Sequence, residues 1–122
     1  MPKPVAVDGD TQVKTSTKKL SADVNQTGAW TLVSKNVTKG QMCSAGGKLV
    51  ELGATAVWSY TGGSTPSASL PPVPDSATLT AGTTMLKDNG SNILVDGDQQ
   101  AGTADPDNKI VVSASQQVLQ TD

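Results

Sequence analysis

The chain has 122 residues, the length of about one domain, and we expect a single domain over residues 1–122. It contains no histidine and no arginine, and ten of its eleven acidic residues are aspartate. This composition removes the base of Ser-His-Asp and Cys-His mechanisms and the imidazole ligands of metal sites, so we expect no enzyme and no cofactor. The net charge of −2 offers no basic surface for nucleic acid.

The remaining composition favours an all-β fold. Only 35% of the residues are hydrophobic and 2% aromatic, while glycine and the hydroxyl residues are plentiful. Such chains form many short strands and turns rather than long amphipathic helices.

A repeated phrase is the first feature along the chain. Val7-Asp8-Gly9-Asp10 recurs as Val95-Asp96-Gly97-Asp98, and each copy follows an apolar segment. Asp-Gly after an apolar residue predicts a strand that runs into a tight turn, with Gly9 and Gly97 at positive φ. The aspartates also resemble paired catalytic carboxylates or fragments of a calcium loop, but the closing glutamate of such a loop is absent. Turn chemistry explains them better.

The next stretch predicts one strand and one insert. Trp30–Val37 alternates between apolar and polar residues, which predicts a half-buried strand. Gly40–Gly47 predicts a turn-rich insert that carries Cys43. Cys43 could meet Asp75 and Asp107 on a common axis as metal ligands, but one thiolate with two carboxylates is a poor zinc set. The alternative is a small buried cysteine and two turn-forming aspartates, so we expect no metal.

Three later segments share a loose template of apolar, small and polar classes. They are residues 50–57, 79–86 and 111–118, with Gly53, Gly82 and Ala114 at the same small position. The template predicts three similar hairpin units, although a chance match in a chain rich in small residues is the alternative. Between them, residues 61–74 predict a loop, Asp88–Gly90 a hairpin turn, Ile93–Val95 its return strand, and residues 104–108 another turn.

These residues resemble a known family. Ala81–Leu86 followed by Ile93–Gly102 is similar to the strand and Asp-Gly turn of PAAR-repeat proteins, which form the tips of contractile injection machines. Val5–Asp10 resembles an opening unit of the same kind, and Gln41–Leu49 the family's approach to a repeat strand. The chain departs from the pattern because it lacks the arginine after Ala101 and the histidines that hold zinc, and residues 14–39 have no counterpart and form a possible insertion.

The resemblance implies a small cone or pyramid of β-hairpins with approximate threefold internal symmetry. One such chain would cap the three strand edges of a trimeric spike and sharpen it for puncture of a target membrane. The repeat-defining residues would be Gly9, Gly53, Gly82, Gly97 and Ala114. Candidate spike-docking residues are Val57, Trp58, Tyr60, Leu86 and Val118.

Location and rival functions complete the expectations. The first residues show no apolar signal core, and a single cysteine suits a reducing compartment, so we expect synthesis in the cytoplasm and assembly at the tip of a tail-like particle. The rivals are a β-rich phage decoration or fibre protein, or a carbohydrate-binding module with Trp30, Trp58 and Tyr60 as its platform. Those aromatic residues would otherwise cover a core or an interface.

Overall fold

Ten β-strands make up the regular structure of the residues that the structure describes. The computed structural model describes residues 3–45, 47–81, 87–88, 90–116 and 120–121, and the prediction of an all-β chain is confirmed. The strands, in chain order, are β1 (Lys3–Pro4), β2 (Thr11–Lys14), β3 (Ala29–Ala45), β4 (Lys48–Thr61), β5 (Val73–Thr80), β6 (Lys87–Asp88), β7 (Ser91–Asn92), β8 (Gln99–Ala101), β9 (Lys109–Val112) and β10 (Gln120–Thr121).

The strands pair in four antiparallel sheets within the described residues. The largest sheet has the order β3-β4-β5, a second has the order β2-β9-β8, and β1-β10 and β6-β7 are two-stranded. Only two residues separate β3 from β4 and β6 from β7 in the chain, whereas β2 and β9 come from opposite ends of the chain. The fold therefore depends on contacts between distant segments as much as on local hairpins.

Alternation along β5 and along β4 from Ala54 onward separates a buried face from an exposed face. On β4 the buried residues include Ala54, Ala56, Trp58 and Tyr60, and the residues between them point outward. This period of two is what a sheet with one solvated face requires. The rings of Trp30 and Tyr60 meet edge to face, with centroids 5.4 Å apart.

The hydrophobic interior consists of two clusters. The first cluster contains the three aromatic rings and the buried residues of the β3-β4-β5 sheet, together with Ala6, Leu94, Ile110 and Val112. The second cluster is smaller and aliphatic, and consists of Val5, Val7, Ala45, Val50, Ile93 and Val95, with Cys43 and Leu52 packed against it.

Two predictions for the second quarter of the chain need correction. A strand does cover residues 30–37, but it is largely exposed because the register shifts between Leu32 and Ser34, and Leu32 and Val33 are 42% and 61% exposed. Residues 40–45 are not a turn-rich insert, since β3 continues to Ala45. The Asp88 carboxylate accepts hydrogen bonds from the backbone of residues 41–43 and holds this part of the strand.

The three template segments do not share one secondary structure in the described residues. Residues 50–57 lie wholly within β4, whereas β5 ends at Thr80 and β9 ends at Val112. Residues 82–86 and 117–119 lie outside the described residues. The threefold repeat therefore stays a prediction.

The predicted turns around Gly9, Gly90, Gly97 and residues 104–108 are confirmed. Gly9, Gly97 and Gly90 have φ values of 96°, 89° and 86°, which only glycine adopts without strain. The β6-β7 pairing confirms the hairpin around Gly90. A backbone hydrogen bond from Asn108 N to Asp105 O (3.1 Å) closes the predicted turn at residues 104–108.

We predict that Trp58→Ala lowers the free energy of unfolding by about 3–5 kcal/mol, because Trp58 is fully buried at the centre of the first cluster. Val57→Ala, one position away on the exposed face, is the control and should change stability by less than about 1 kcal/mol. Urea denaturation followed by tryptophan fluorescence or circular dichroism measures both. Equal losses for the two variants would contradict the placement of Trp58.

Candidate functional site

Three distant segments meet at a closed cycle of backbone hydrogen bonds. Ala6 N donates to Leu94 O (2.8 Å), Leu94 N donates to Glu51 O (2.9 Å), and Glu51 N donates to Ala6 O (2.9 Å). Each of the three residues is at most 1% exposed. We call residues 5–7, 50–52 and 93–95 the three-segment junction, because each segment gives one hydrogen bond and receives one.

The junction separates the two hydrophobic clusters. Ala6 and Leu94 pack in the first cluster, while their chain neighbours at positions 5, 7, 93 and 95 pack in the second, as Val50 does. Alternation along an extended segment sends neighbouring side chains to opposite sides. The junction is therefore a shared layer, and loosening it would disturb both clusters at once.

Two segments of the junction, residues 5–7 and 93–95, are each followed by a turn of the same type. In the first, Asp10 N donates to Val7 O (2.9 Å) and Val7 N donates to the Asp10 carboxylate (3.0 Å). In the second, Asp98 N donates to Val95 O (3.1 Å) and Val95 N donates to the Asp98 carboxylate (3.0 Å). The repeated sequence phrase thus corresponds to a repeated structure.

The third segment of the junction, residues 50–52, is not followed by such a turn. Gly53 follows Leu52 within β4 and pairs with Thr80 of β5, so the chain continues as a strand instead of turning. Its central residue is Glu51, the only glutamate of the chain, and the Glu51 side chain is buried. Of the predicted repeat-defining residues, Gly9, Gly97 and Gly53 thus adjoin the junction. Ala114 donates its N–H to Asp96 (2.9 Å), and Gly82 lies outside the described residues.

Buried aspartates organise the loops. Asp75 is 4% exposed and accepts six hydrogen bonds, five of them from the loop after β8. Burial acts to raise its pKa, but these hydrogen bonds outweigh burial and lower the pKa. The donors are Ser76 N, Thr103 N, Thr103 Oγ1, Ala104 N, Asp105 N and Asn108 Nδ2.

Asp88 and Asp23 likewise accept hydrogen bonds from the backbone of other segments, Asp88 from β3 and Asp23 from residues 27–28 and 64. The N–H of Cys43 (2.7 Å) is the main cause of the lowered pKa of Asp88, and it outweighs burial. Burial acts to raise the pKa of Asp23, but the Tyr60 hydroxyl (2.5 Å) and three backbone amides lower it to about 2. None of these three carboxylates forms an ion pair with a lysine in the described part of the chain.

Glycines make room for these carboxylates. A Cβ atom at Gly40 would collide with Asp88, one at Gly63 would crowd Asp23, and one at Gly102 would collide with Asp75. These aspartates were not predicted to be loop anchors, because their partners lie up to 47 residues away along the chain. The signal available in the sequence is that ten of the eleven acidic residues are aspartate in a chain without arginine or histidine.

The candidate spike-docking residues divide between the interior and the surface. Trp58 and Tyr60 are fully buried, so they serve the core and cannot offer a surface to a partner, which corrects that part of the prediction. With Trp30 only 5% exposed, an exposed aromatic platform for sugars is also wrong. Val57 is 36% exposed on the outer face of β4, and Leu86 and Val118 lie outside the described residues.

In the part of the sheet formed by residues 29–38, 53–61 and 73–80, the outer face carries no charged side chain. Lys35 of β3 lies opposite Ala56 on the other face, and its ammonium group donates to Thr11 O (2.8 Å). We call this surface the charge-free face; by strand register it consists of Ala29, Thr31, Ser34, Asn36, Thr38, Gly53, Thr55, Val57, Ser59, Thr61, Pro74, Ser76, Thr78 and Thr80.

Cys43 and Asp107, which the sequence analysis considered as metal ligands, have separate surroundings in the structure. Cys43 is half-buried, and burial, followed by the charge of Asp88, raises its pKa. Asp107 forms an exposed ion pair with Lys18 (3.2 Å). Among the residues whose structure is described, no three His, Cys, Asp or Glu side chains come together as metal ligands.

An open depression of about 450 Å³ lies beside Leu52 and Thr80, and its lining residues are uncharged.

Comparisons with known proteins place the chain in no family: no family model, no curated protein and no solved structure matches it. Within the described part of the chain, no helix is long and apolar enough to cross a membrane.

We predict that Gly102→Ala destabilises the chain by about 2 kcal/mol or more, because its methyl group would displace the Asp75 carboxylate from six donors. Gly97→Ala is the control: space for the methyl group is open there, and only the positive φ opposes it, at about 1–2 kcal/mol. Thermal unfolding of both variants compares them. A smaller loss at position 102 than at position 97 would contradict the anchoring role of Asp75.

We predict that stability falls in acid as Asp23 is protonated. Its pKa of about 2 is below the ordinary value of 3.8, so its contribution is present above about pH 4 and is lost as the pH falls through about 2. Carboxyl ¹³C NMR should show Asp23 titrating near pH 2. In Asp23→Asn the stability at neutral pH should be lower and its decline in acid shallower. Titration of Asp23 at or above 3.8 would contradict the geometry.

Proposed function

We propose that the chain is a non-enzymatic structural cap, the PAAR-like tip of a trimeric spike in a contractile injection machine or phage tail. The closed cycle of the three-segment junction is the observation that carries this proposal. One polypeptide there brings three extended segments into equivalent hydrogen-bonding roles. That is the arrangement a single chain needs if it is to match a partner built from three identical chains.

The physical need for such a cap lies in strand edges. A spike of three β-rich chains ends in three rows of unpaired N–H and C=O groups, and such edges invite unwanted pairing. In our proposal this chain covers all three edges with an approximately threefold, conical arrangement of hairpins. The narrow end then concentrates force on a small area of the target membrane.

The charge-free face supports a role in docking. The core of a protein interface is depleted in charged residues, whereas an exposed sheet face ordinarily carries lysine or glutamate. Val57 lies within this face, and we retain it as a docking residue. We also retain Leu86 and Val118 as proposed docking residues.

The same face also favours a second candidate function. A decoration or fibre protein of a phage particle would likewise need an uncharged docking surface, but one copy would then bind each partner chain. The carbohydrate-binding alternative is not proposed, because the three aromatic side chains are buried.

We predict one copy of this chain per three spike chains. Native mass spectrometry of the purified chain mixed with the trimeric spike encoded in its gene neighbourhood measures this ratio. Val57→Lys should weaken binding at least about tenfold, since it buries an unpaired charge at the interface. Gln99→Lys, an exposed change on β8, is the matched control and should bind like the wild type. A ratio of 1:1 or 3:3 would contradict the cap and support the decoration protein.

A further inference from the structure

Two buried carboxyl groups beside the junction, those of Glu51 and Asp10, are linked through Thr11, and neither forms an ion pair in the described residues. Glu51 is 1% exposed and Asp10 is 4% exposed. Asp10 adjoins Thr11 in the chain, and Thr11 donates to the Glu51 carboxyl group through both its backbone N (3.1 Å) and its hydroxyl (2.7 Å). We call Glu51 and Asp10 the buried acid pair.

The hydrogen bonds of the pair connect separate parts of the fold. Glu51 belongs to β4 and holds Thr11 of β2, while the Asp10 carboxylate accepts from Val7 N (3.0 Å) and from Ser115 N (3.1 Å). The pair therefore joins the first segment of the junction to β4 and to residue 115, near the other end of the chain. A change in its charge acts on contacts between segments that are far apart in sequence.

The surrounding charges do not neutralise Glu51. From β3, the ammonium group of Lys35 is bound to Thr11 O (2.8 Å) and that of Lys39 to the Asp8 carboxylate (2.9 Å). On the 93–98 segment, Asp96 and Asp98 bind backbone amides through their carboxylates.

Glu51 differs from the aspartate anchors in its electrostatics. Burial raises its pKa above 4.5 and the charge of Asp10 acts in the same direction, and together they outweigh the hydrogen bonds from Thr11 and the Gly9 amide. The folded chain therefore binds a proton at Glu51 more tightly than the unfolded chain does. Its contribution to stability is complete below about pH 4.5 and declines as the pH rises through the folded pKa.

We propose that the buried acid pair is a pH-sensitive latch that holds the three-segment junction most tightly in mildly acidic solution. Protonation of Glu51 removes its charge from the buried site and keeps the contact with Thr11, because a carboxylic acid still accepts hydrogen bonds. Ionisation places a negative charge without an ion-pair partner in the buried site and loosens the first segment from β4. This inference does not depend on the proposed function.

The test compares the wild type with Glu51→Gln across the pH range. Glutamine keeps an acceptor oxygen for Thr11 but cannot ionise, so its melting temperature should equal that of the wild type near pH 4 and exceed it by about 4 °C or more near pH 8. Asp107→Asn removes an exposed carboxylate and should leave the pH dependence of the melting temperature as in the wild type. A difference between Glu51→Gln and the wild type that is the same at every pH would show a merely structural role and overturn the latch.

A second measurement uses the wild-type chain alone. Hydrogen exchange at the amides of Ala6, Glu51 and Leu94, corrected for the intrinsic rate, should be slower near pH 5 than near pH 8. Carboxyl ¹³C NMR should show Glu51 titrating above 4.5, with the amide of Thr11 shifting at the same midpoint. Titration of Glu51 at or below 4.5, or junction protection that is independent of pH, would overturn the proposal.

Discussion

The closed cycle of hydrogen bonds between Ala6, Glu51 and Leu94 is the constraint on which the fold depends. A buried backbone amide must find a partner, and here each of three segments satisfies its neighbour in turn. The cycle also places alternate side chains in two separate clusters, so the aromatic core and the valine-rich core form only when all three segments are in place. In this chain, which has small side chains and few aromatic residues, one layer of backbone thus supports a hydrophobic cluster on each of its two sides.

Around this layer, buried aspartates hold distant loops in place, as arginine side chains or disulfides do in other proteins. Asp23, Asp75 and Asp88 each collect hydrogen bonds from a distant loop, and nearby glycines leave space for the carboxylates. Because the hydrogen bonds to these carboxylates are stronger when the carboxylates are ionised, their contribution to stability persists in mild acid and is lost in strong acid. Glu51 has the opposite dependence, because burial raises its pKa in the folded chain.

The part of the fold that local patterns control was predictable. The Asp-Gly turns at Gly9 and Gly97 follow from the conformational freedom of glycine, whereas the alternation on β4 and β5 was recognised only in the structure. Residues 40–45 were misread as turns because their glycine and polar residues are locally typical of loops. Their extended form depends on Asp88, which contacts them only through the tertiary fold.

The sequence by itself determined the all-β class, the position of the tight turns and the absence of histidine and arginine chemistry, because each of these depends on residue type and near neighbours. Only the tertiary structure decided that the repeated Val-Asp-Gly-Asp phrases join residues 50–52 in one layer, that Trp58 and Tyr60 are interior, and that the outer sheet face is free of charge. Those properties depend on which distant segments pair, and pairing minimises unsatisfied backbone groups over the whole chain rather than within any one stretch.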